Sequence, residues 1–450
     1  MHIKIVATGA LGDVQPLFRL ANLLSSSGHA VSVATHPSFQ GFLSPEIRPI
    51  PLRGDAKSFF AGPVGIALRE RLSRRREDLV RFWSCYVSPM VRRHLDELTK
   101  LRGNTDLVIC EPWLQAGPTL SVLLEAPCVV AAVMPVPALP SSEFPFPFDE
   151  TVTNHNNHNE NAASWEFARV FASLGLGDVN YWRSRTLGLG QLNWHDHIQD
   201  LRSLPHLFAY SPTVLNRPPE WQDLHSVTGY WFKETPTYVP EKRLLDFLDA
   251  GEPPIVFGFS SQVASAGTML QSKIVSALER TGRRGLILSG WGRISDENEH
   301  RNILTLDSVE HSWILPRTAA MVHHGGAGTV GECLRAGIPS IAWPLGYDGM
   351  FWGVRISNLG AALPPLRGDS ITVTKMCECI EALTGDSQIR KRSQELKHIL
   401  ARERGLATAA DILVGSKAVY PSVGQDAHEV RPSRSTTRVS LTNAELFTPR

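Results

Sequence analysis

Two stretches of the chain carry residue types that could do chemistry. In "VATGALGDVQP" a carboxylate, Asp13, follows Gly9 and Gly12 between a short apolar run and an amphipathic one. Such an acid either caps the free N–H groups of a helix start or projects from the strand-to-helix loop as a general base. The spacing is not that of a dinucleotide fold, because Gly12 is followed by Asp13, Val14, Gln15 and Pro16 rather than a third glycine. A carboxylate here would also repel a pyrophosphate laid on the helix start. In "HHGGAGTVGECLRAGIP", His323 to Pro339, glycines let backbone N–H groups approach a ligand and a helix start adds partial positive charge. A diphosphate is the natural occupant; a tight buried turn with His323 packed inside is the simpler alternative. His324 could add a hydrogen bond or a proton-dependent charge. Glu332 either favours the helix dipole or accepts ribose hydroxyls. Adjacent histidines on a strand point to opposite faces and make a poor metal pair. His155 and His158 read as members of an asparagine-rich solvent loop, so no metal is assigned. Trp291, among glycines in "SGWGR", reads as a core residue or as a platform for a stacked base.

These residues need elements to hold them. The N-terminus alternates a strand, "IKIVAT", a glycine turn, "GALGD", a helix, "VQPLFRLANLLSSSGH", and a second strand, "AVSVAT", which is a βαβ unit. Strands at "DLVIC" and "PCVVAAV" extend it to a doubly wound parallel sheet. From Pro135 to Leu204 proline-rich and polar segments predict a long loop plus helices over this first unit. A second series, "PPIVFGFSS", "GLILSGW", "NILTLD", "AAMVHHGG" and "PSIAWP", repeats the architecture. The expected organisation is residues 1–233, residues 234–416, and a disordered tail over 417–450. Two α/β units facing each other bring the carboxyl ends of both sheets to one cleft.

A formal net charge of +1 with 42% hydrophobic and 20% charged residues gives no basic face for nucleic acid. None of the six cysteines forms a repeated CxxC pair, so reduced thiols in a cytosolic protein are expected. No apolar run reads as a signal peptide or membrane span, and a cytoplasmic location follows as the expectation. Oligomeric state is not legible.

Together these motifs resemble the family-1 glycosyltransferases, particularly the sterol glucosyltransferase-like and antibiotic-glycosylating branch. The resemblance runs over most of the chain: "GDVQP" and "GHAVSVATHPSF", then "YSPTVLNRPPEW" and "VTGYWF", then "HHGGAGT", "LRAGIPS" and "WPLGYDGMFWG". It implies a GT-B fold, two Rossmann-like domains with acceptor in the first and sugar nucleotide in the second. It further implies metal-independent, inverting transfer without a resident cofactor. On that resemblance Asp13 is the base. Ser261, His324, Ala327, Gly328 and Thr329 are expected around the diphosphate, Val309, His311 and Trp291 around the base, Glu332 at the ribose and Asp348 at the sugar, with Gly12 a further donor-binding residue.

Several positions depart from the family pattern. Ala10 and Leu11 replace a Ser/Thr–Arg pair, Glu310 replaces a proline beside the base-binding segment, and Gly349 replaces the glutamine after Asp348. The expected activity is transfer of a sugar, deoxyhexoses among the candidates, from a nucleoside diphosphate to a hydroxyl of a small lipophilic acceptor such as a terpenoid, sterol or polyketide. The alternatives are a nucleotide-sugar epimerase of the same fold and a non-catalytic nucleotide-sugar or lipid binder. A binder would not need Asp13.

Overall fold

A computed structural model of the chain describes residues 1–415 apart from 56–57, 60–61, 73–75, 153, 234–237, 260–266, 291–300, 345 and 368–370. Ser261, Trp291 and the 417–450 tail lie outside the described residues, as does the chain just beyond the expected boundary at 233.

The first unit has strands β1 (His2–Ala7), β2 (Ala30–Thr35), β3 (Arg48–Pro51), β4 (Leu107–Cys110), β5 (Cys128–Ala132), β6 (His206–Phe208) and β7 (His225–Val227). They pair in parallel in the order β3-β2-β1-β4-β5-β6-β7. The second has β8 (Ile255–Gly258), β9 (Gly285–Leu288), β10 (Ile303–Leu306), β11 (Ala320–His323), β12 (Ser340–Ala342) and β13 (Ala362–Leu363). Their order, β10-β9-β8-β11-β12-β13, is also all parallel and repeats the winding of the first. Helices cover both faces of such sheets, which is why the strands read as unbroken apolar runs. In each sheet the winding reverses direction once, between β1 and β4 and between β8 and β11. Loops leaving adjacent strands diverge there and open a crevice beyond the carboxyl ends.

The helix after β1 spans Leu11–Ser26 and buries Val14, Leu17, Phe18, Leu20, Ala21 and Leu24, the spacing of one helical face. It begins three residues earlier than its apolar pattern suggested, with Ala10 as the N-cap, so Gly12 and Asp13 belong to its first turn. Asp13 is therefore not the N-cap. As the third helical residue it reaches back, and its Oδ2 accepts the Ala10 N–H at 3.0 Å, the reciprocal half of a capping box. Pro16, inside the helix, has no N–H to give to the Gly12 carbonyl.

The asparagine-rich stretch is less exposed than its composition suggested. It runs into a 25-residue helix, His158–Trp182, capped by the Asn157 side chain. His155 is only 3% exposed and stacks on Phe351, ring centroids 5.3 Å apart. Its loop is folded under the second unit's helix Gly349–Asn358, where Phe144 also meets Phe351. The last described helix, Gly405–Gly415, returns to pack on helix Leu11–Ser26, and its Ala409 and Leu413 join the first unit's core. Just before it, Glu403 accepts the Ser211 hydroxyl at 2.6 Å and the Thr213 hydroxyl at 3.2 Å.

Candidate active site

A cavity of about 1210 Å³ lies between the two units at both reversal points. Its wall includes Gly12, Asp13, Val309, His311, His324, Ala327, Gly328, Thr329, Glu332 and Asp348. Residues more than 300 positions apart in the chain thus meet around one space.

On the first unit's side, a Cβ on Gly9 would lie 2.8 Å from the Asp13 Cβ, so only glycine lets the turn close over this carboxylate. Burial, then the negative charges of Asp348 and Glu111, push the Asp13 carboxyl up to about 7 against the Ala10 hydrogen bond that lowers it. Glu111 stands just beyond β4, across the crevice from the β1 loop. It accepts the Thr8 hydroxyl at 2.5 Å and the Trp113 backbone N–H, and burial pushes it up to about 7. Asp348, from the loop after β12, is raised to about 6 by burial, while its Oδ2 accepts the Trp352 indole N–H at 2.9 Å. Three acids converge here, and Asp13 exchanges a proton near neutrality, where a general base works best.

On the second unit's side the two histidines part as expected. His323 is fully buried, and its Nδ1 accepts the Gly325 N–H at 3.0 Å, fixing the turn. His324 faces the cavity. Burial, reinforced by neighbouring His311, lowers His324 to about 4, so at neutral pH it offers a hydrogen bond and not a charge. The helix Ala327–Ala336 has Gly326 as its N-cap, which supplies no side-chain cap; the Ala327 N–H is drawn to the Asp348 carboxylate, and the N–H groups that follow are left for an anion. Glu332 lies further along this helix, 6% exposed, with Oε2 making no hydrogen bond.

Gly349 has a structural reason beyond sequence. A Cβ there would sit 2.3 Å from the His324 carbonyl oxygen. Gly325, at φ +92°, meets the Gly349 carbonyl just as closely, 2.4 Å from an added Cβ. The loop bearing Asp348 and the loop bearing His324 touch backbone to backbone.

One part of the cavity wall is apolar. Of the Met134–Phe148 stretch, Met134, Pro137 and Phe148 reach it, while Phe144 and Phe146 turn inward against Trp165. Most of this wall, Trp83, Met90, Val91, Trp113 and Phe171, was not anticipated from sequence. Apolar residues on helix faces look the same whether they border a core or a chamber. Trp83 is held by Asp178, whose Oδ2 accepts its indole N–H at 3.2 Å and the Ser88 hydroxyl at 3.0 Å, while Oδ1 takes Arg92 at 2.7 Å. Replacing Asp178 by alanine leaves these donors without their acceptor. A loss of about 2–3 kcal/mol of stability is expected, measured by denaturant titration, together with weaker acceptor binding as Trp83 is released. Gln115 (φ +50°) and Tyr347 (φ +58°) also line the cavity in the left-handed region, where strain is held only by well-determined surroundings.

Among the described residues, no group of three His, Cys, Asp or Glu is placed to hold a metal, and no helix is long and apolar enough to cross a membrane.

Residues 296–410 match the family model for the erythromycin biosynthesis protein CIII-like C-terminal domain. A sterol 3-beta-glucosyltransferase of Arabidopsis thaliana is 29% identical over 91% of this chain and 64% of its own. An O-mycaminosyltylonolide 6-deoxyallosyltransferase of Streptomyces fradiae is 28% identical over 92% of this chain and 97% of its own. The chain thus spans slightly less than two thirds of the Arabidopsis relative, and 26% of a similar UDP-sugar-dependent glycosyltransferase of Dictyostelium discoideum. Among solved structures, the glycosyltransferase of kitacinnamycin superposes with a TM-score of 0.66 at 16% identity, covering 92% of this chain and 97% of that one. CalG4, the calicheamicin glycosyltransferase, gives 0.65 at 17% identity over 93% and 99%. A Streptomyces glycosyltransferase complexed with thymidine diphosphate gives 0.57 at 18% over 92% and 99%. With its two parallel-sheet units and these solved structures matching over nine tenths of its length, the chain has the GT-B fold, and its sequence is similar to sterol and antibiotic glycosyltransferases.

Proposed function

We propose that the protein transfers a sugar from a nucleoside diphosphate to a hydroxyl of a small lipophilic acceptor, with inversion at the anomeric carbon and no metal. The observation that carries this reading is one cavity walled by a proton acceptor, a helix start with no side-chain N-cap and an apolar chamber. The curated relatives are named for a sterol and for O-mycaminosyltylonolide, and a chamber lined by Trp83, Trp113, Phe148 and Phe171 suits a lipophilic acceptor.

The chemistry follows from the wall. An acceptor hydroxyl in the apolar chamber attacks the anomeric carbon from the face opposite the diphosphate. Its proton passes to Asp13 as the new C–O bond forms and the bond to the diphosphate oxygen breaks. The departing oxygen takes the electron pair and is stabilised by the N–H groups at the start of helix Ala327–Ala336 and by neutral His324. Glu332 accepts ribose hydroxyls, Val309 and His311 border the base, and Asp348 reads the sugar. Ser261 and Trp291 keep their expected places beside the diphosphate and base as proposals resting on the family resemblance. A cytosolic location and the absence of a resident cofactor belong to the same reading.

The test is a panel of nucleotide sugars incubated with mixed sterol, terpenoid and polyketide acceptors, scoring free nucleoside diphosphate and glycosylated product. Acceptor-dependent release is expected. Interconversion of donor sugars without acceptor, or donor binding with no product from any pair, would reject transfer. His324→Ala is expected to weaken nucleoside diphosphate binding about tenfold, the worth of one hydrogen bond to a charged group; calorimetric titration with uridine and thymidine diphosphates reads it, and unchanged affinity would remove His324 from the diphosphate site.

A further inference from the structure

The polypeptide joining the two units, Tyr230 to Lys233, is gripped by two arginines from opposite sides. Arg19, on the helix that begins with Asp13, donates Nη1 to the Trp231 carbonyl at 3.0 Å. Arg335, on the helix that begins at the diphosphate loop, donates Nη2 to the Lys233 carbonyl at 3.1 Å, and its guanidinium lies over the Phe232 ring at 4.8 Å. Both arginines face one carboxylate: Arg19 Nη2 is 3.9 Å from Glu332 Oε1, and Arg335 Nη1 is 3.7 Å from Glu332 Oε2. These separations carry charge attraction but exceed hydrogen-bond length. Glu332 is therefore a buried carboxylate held between two cations with much of its accepting capacity unfilled, and both it and Arg19 line the cavity.

We propose that Arg19 is a cross-cleft positioning residue, which senses the donor's ribose through Glu332 and thereby seats the Asp13 helix against the bound sugar nucleotide. This rests on the transferase reading above. A ribose hydroxyl donating to Glu332 fixes the carboxylate's orientation. The fixed carboxylate sets where the Arg19 guanidinium lies, and Arg19 shares a rigid helix with the base. The carbonyl of Trp231 anchors the same guanidinium, so the link includes the segment that joins the units. A donor site confined to the second unit would leave Asp13 indifferent to the ribose, whereas this arrangement makes the base's placement depend on it.

The test combines Arg19→Gln, Glu332→Gln and the double variant, with uridine diphosphate and its 2′-deoxy analogue as binding probes and an active donor–acceptor pair for turnover. Arg19→Gln is expected to lower kcat about tenfold or more while uridine diphosphate affinity changes less than about threefold, because the diphosphate contacts belong to the other unit. In the Glu332→Gln background the same change is expected to cost less than about threefold in kcat, the non-additivity of coupled neighbours. Arg19→Lys, which keeps charge but loses the forked geometry, should fall between wild type and Arg19→Gln; it carries the comparison if Arg19→Gln melts early. Equal losses from Arg19→Gln in both backgrounds, or loss of affinity with kcat retained, would overturn the coupling. A wild-type chain that binds neither nucleotide and makes no product would instead refute the transferase reading itself.

Discussion

Replacing Asp13 by asparagine is expected to lower the transfer rate by about 10²–10⁴-fold, the usual worth of a positioned proton acceptor. The amide keeps the size of the side chain and an oxygen for the Ala10 N–H, but it cannot take the acceptor's proton. Donor binding should be nearly unchanged, since Asp13 lines the cavity from the first unit and the helix Ala327–Ala336 belongs to the second. The wild-type rate should rise with pH through about 7 and then level, because burial and the charges of Asp348 and Glu111 hold Asp13 protonated below that value. Stability moves the other way. The folded chain holds this proton up to about 7, whereas an unfolded Asp releases it near 3.8, so stability attributable to the group falls as pH rises across that window. The asparagine variant should lose that slope. Full turnover by Asp13→Asn, or a rate flat from pH 5 to 8, would take the base assignment away from this residue.

Replacing Gly349 by glutamine, the residue the family pattern carries there, should damage the enzyme rather than restore a sugar contact. The new Cβ would begin 2.3 Å from the His324 carbonyl oxygen, and the neighbour is backbone, which yields only by moving the diphosphate loop. Overpacking of this kind costs about 1–3 kcal/mol or more. We expect a lower melting temperature and nucleoside diphosphate affinity weakened at least about tenfold, read by thermal shift and calorimetry. A stable variant that gains glucosyl transfer would show that the two loops separate more easily than their contact suggests. The same contact accounts for a glycine at this position: the two loops close on each other backbone to backbone, and the neighbouring Asp348 is held by the Trp352 indole N–H.

Much of the frame was legible in the sequence because parallel strands covered on both faces are unbroken apolar runs, and because glycine turns follow them at the ends where ligands bind. "IKIVAT" and "AAMVHHGG" gave both halves of the cleft for that reason. The helix start at Leu11 was not legible: Gly12 and Asp13 are poor helix formers, and the bonds of the Asp13 and Val14 N–H groups to the Ala10 carbonyl, with the Ala10 N–H donating to the Asp13 carboxylate, show that they lie inside the first turn. His155 was misread as solvent-facing because its neighbours are polar, whereas Phe351, nearly 200 residues away, covers it. Arg19 and Glu111 gave no signal at all. One is a single cation on an amphipathic helix and the other a single acid after a strand, and each gains meaning only from the opposite side of a fold-level crevice. Strand-end loops are local and readable; walls assembled from distant helix faces are not.

A single displacement across this cleft is tested most directly by the anomeric configuration of the product. With an α-linked nucleotide sugar and any acceptor that supports turnover, the proton coupling constant of the product's anomeric centre should report a β-linkage from the first turnover onward. An α-linked product would mean that the sugar passes through an intermediate or departs and returns on one face, and neither is compatible with Asp13 acting as base opposite a diphosphate held at the start of helix Ala327–Ala336.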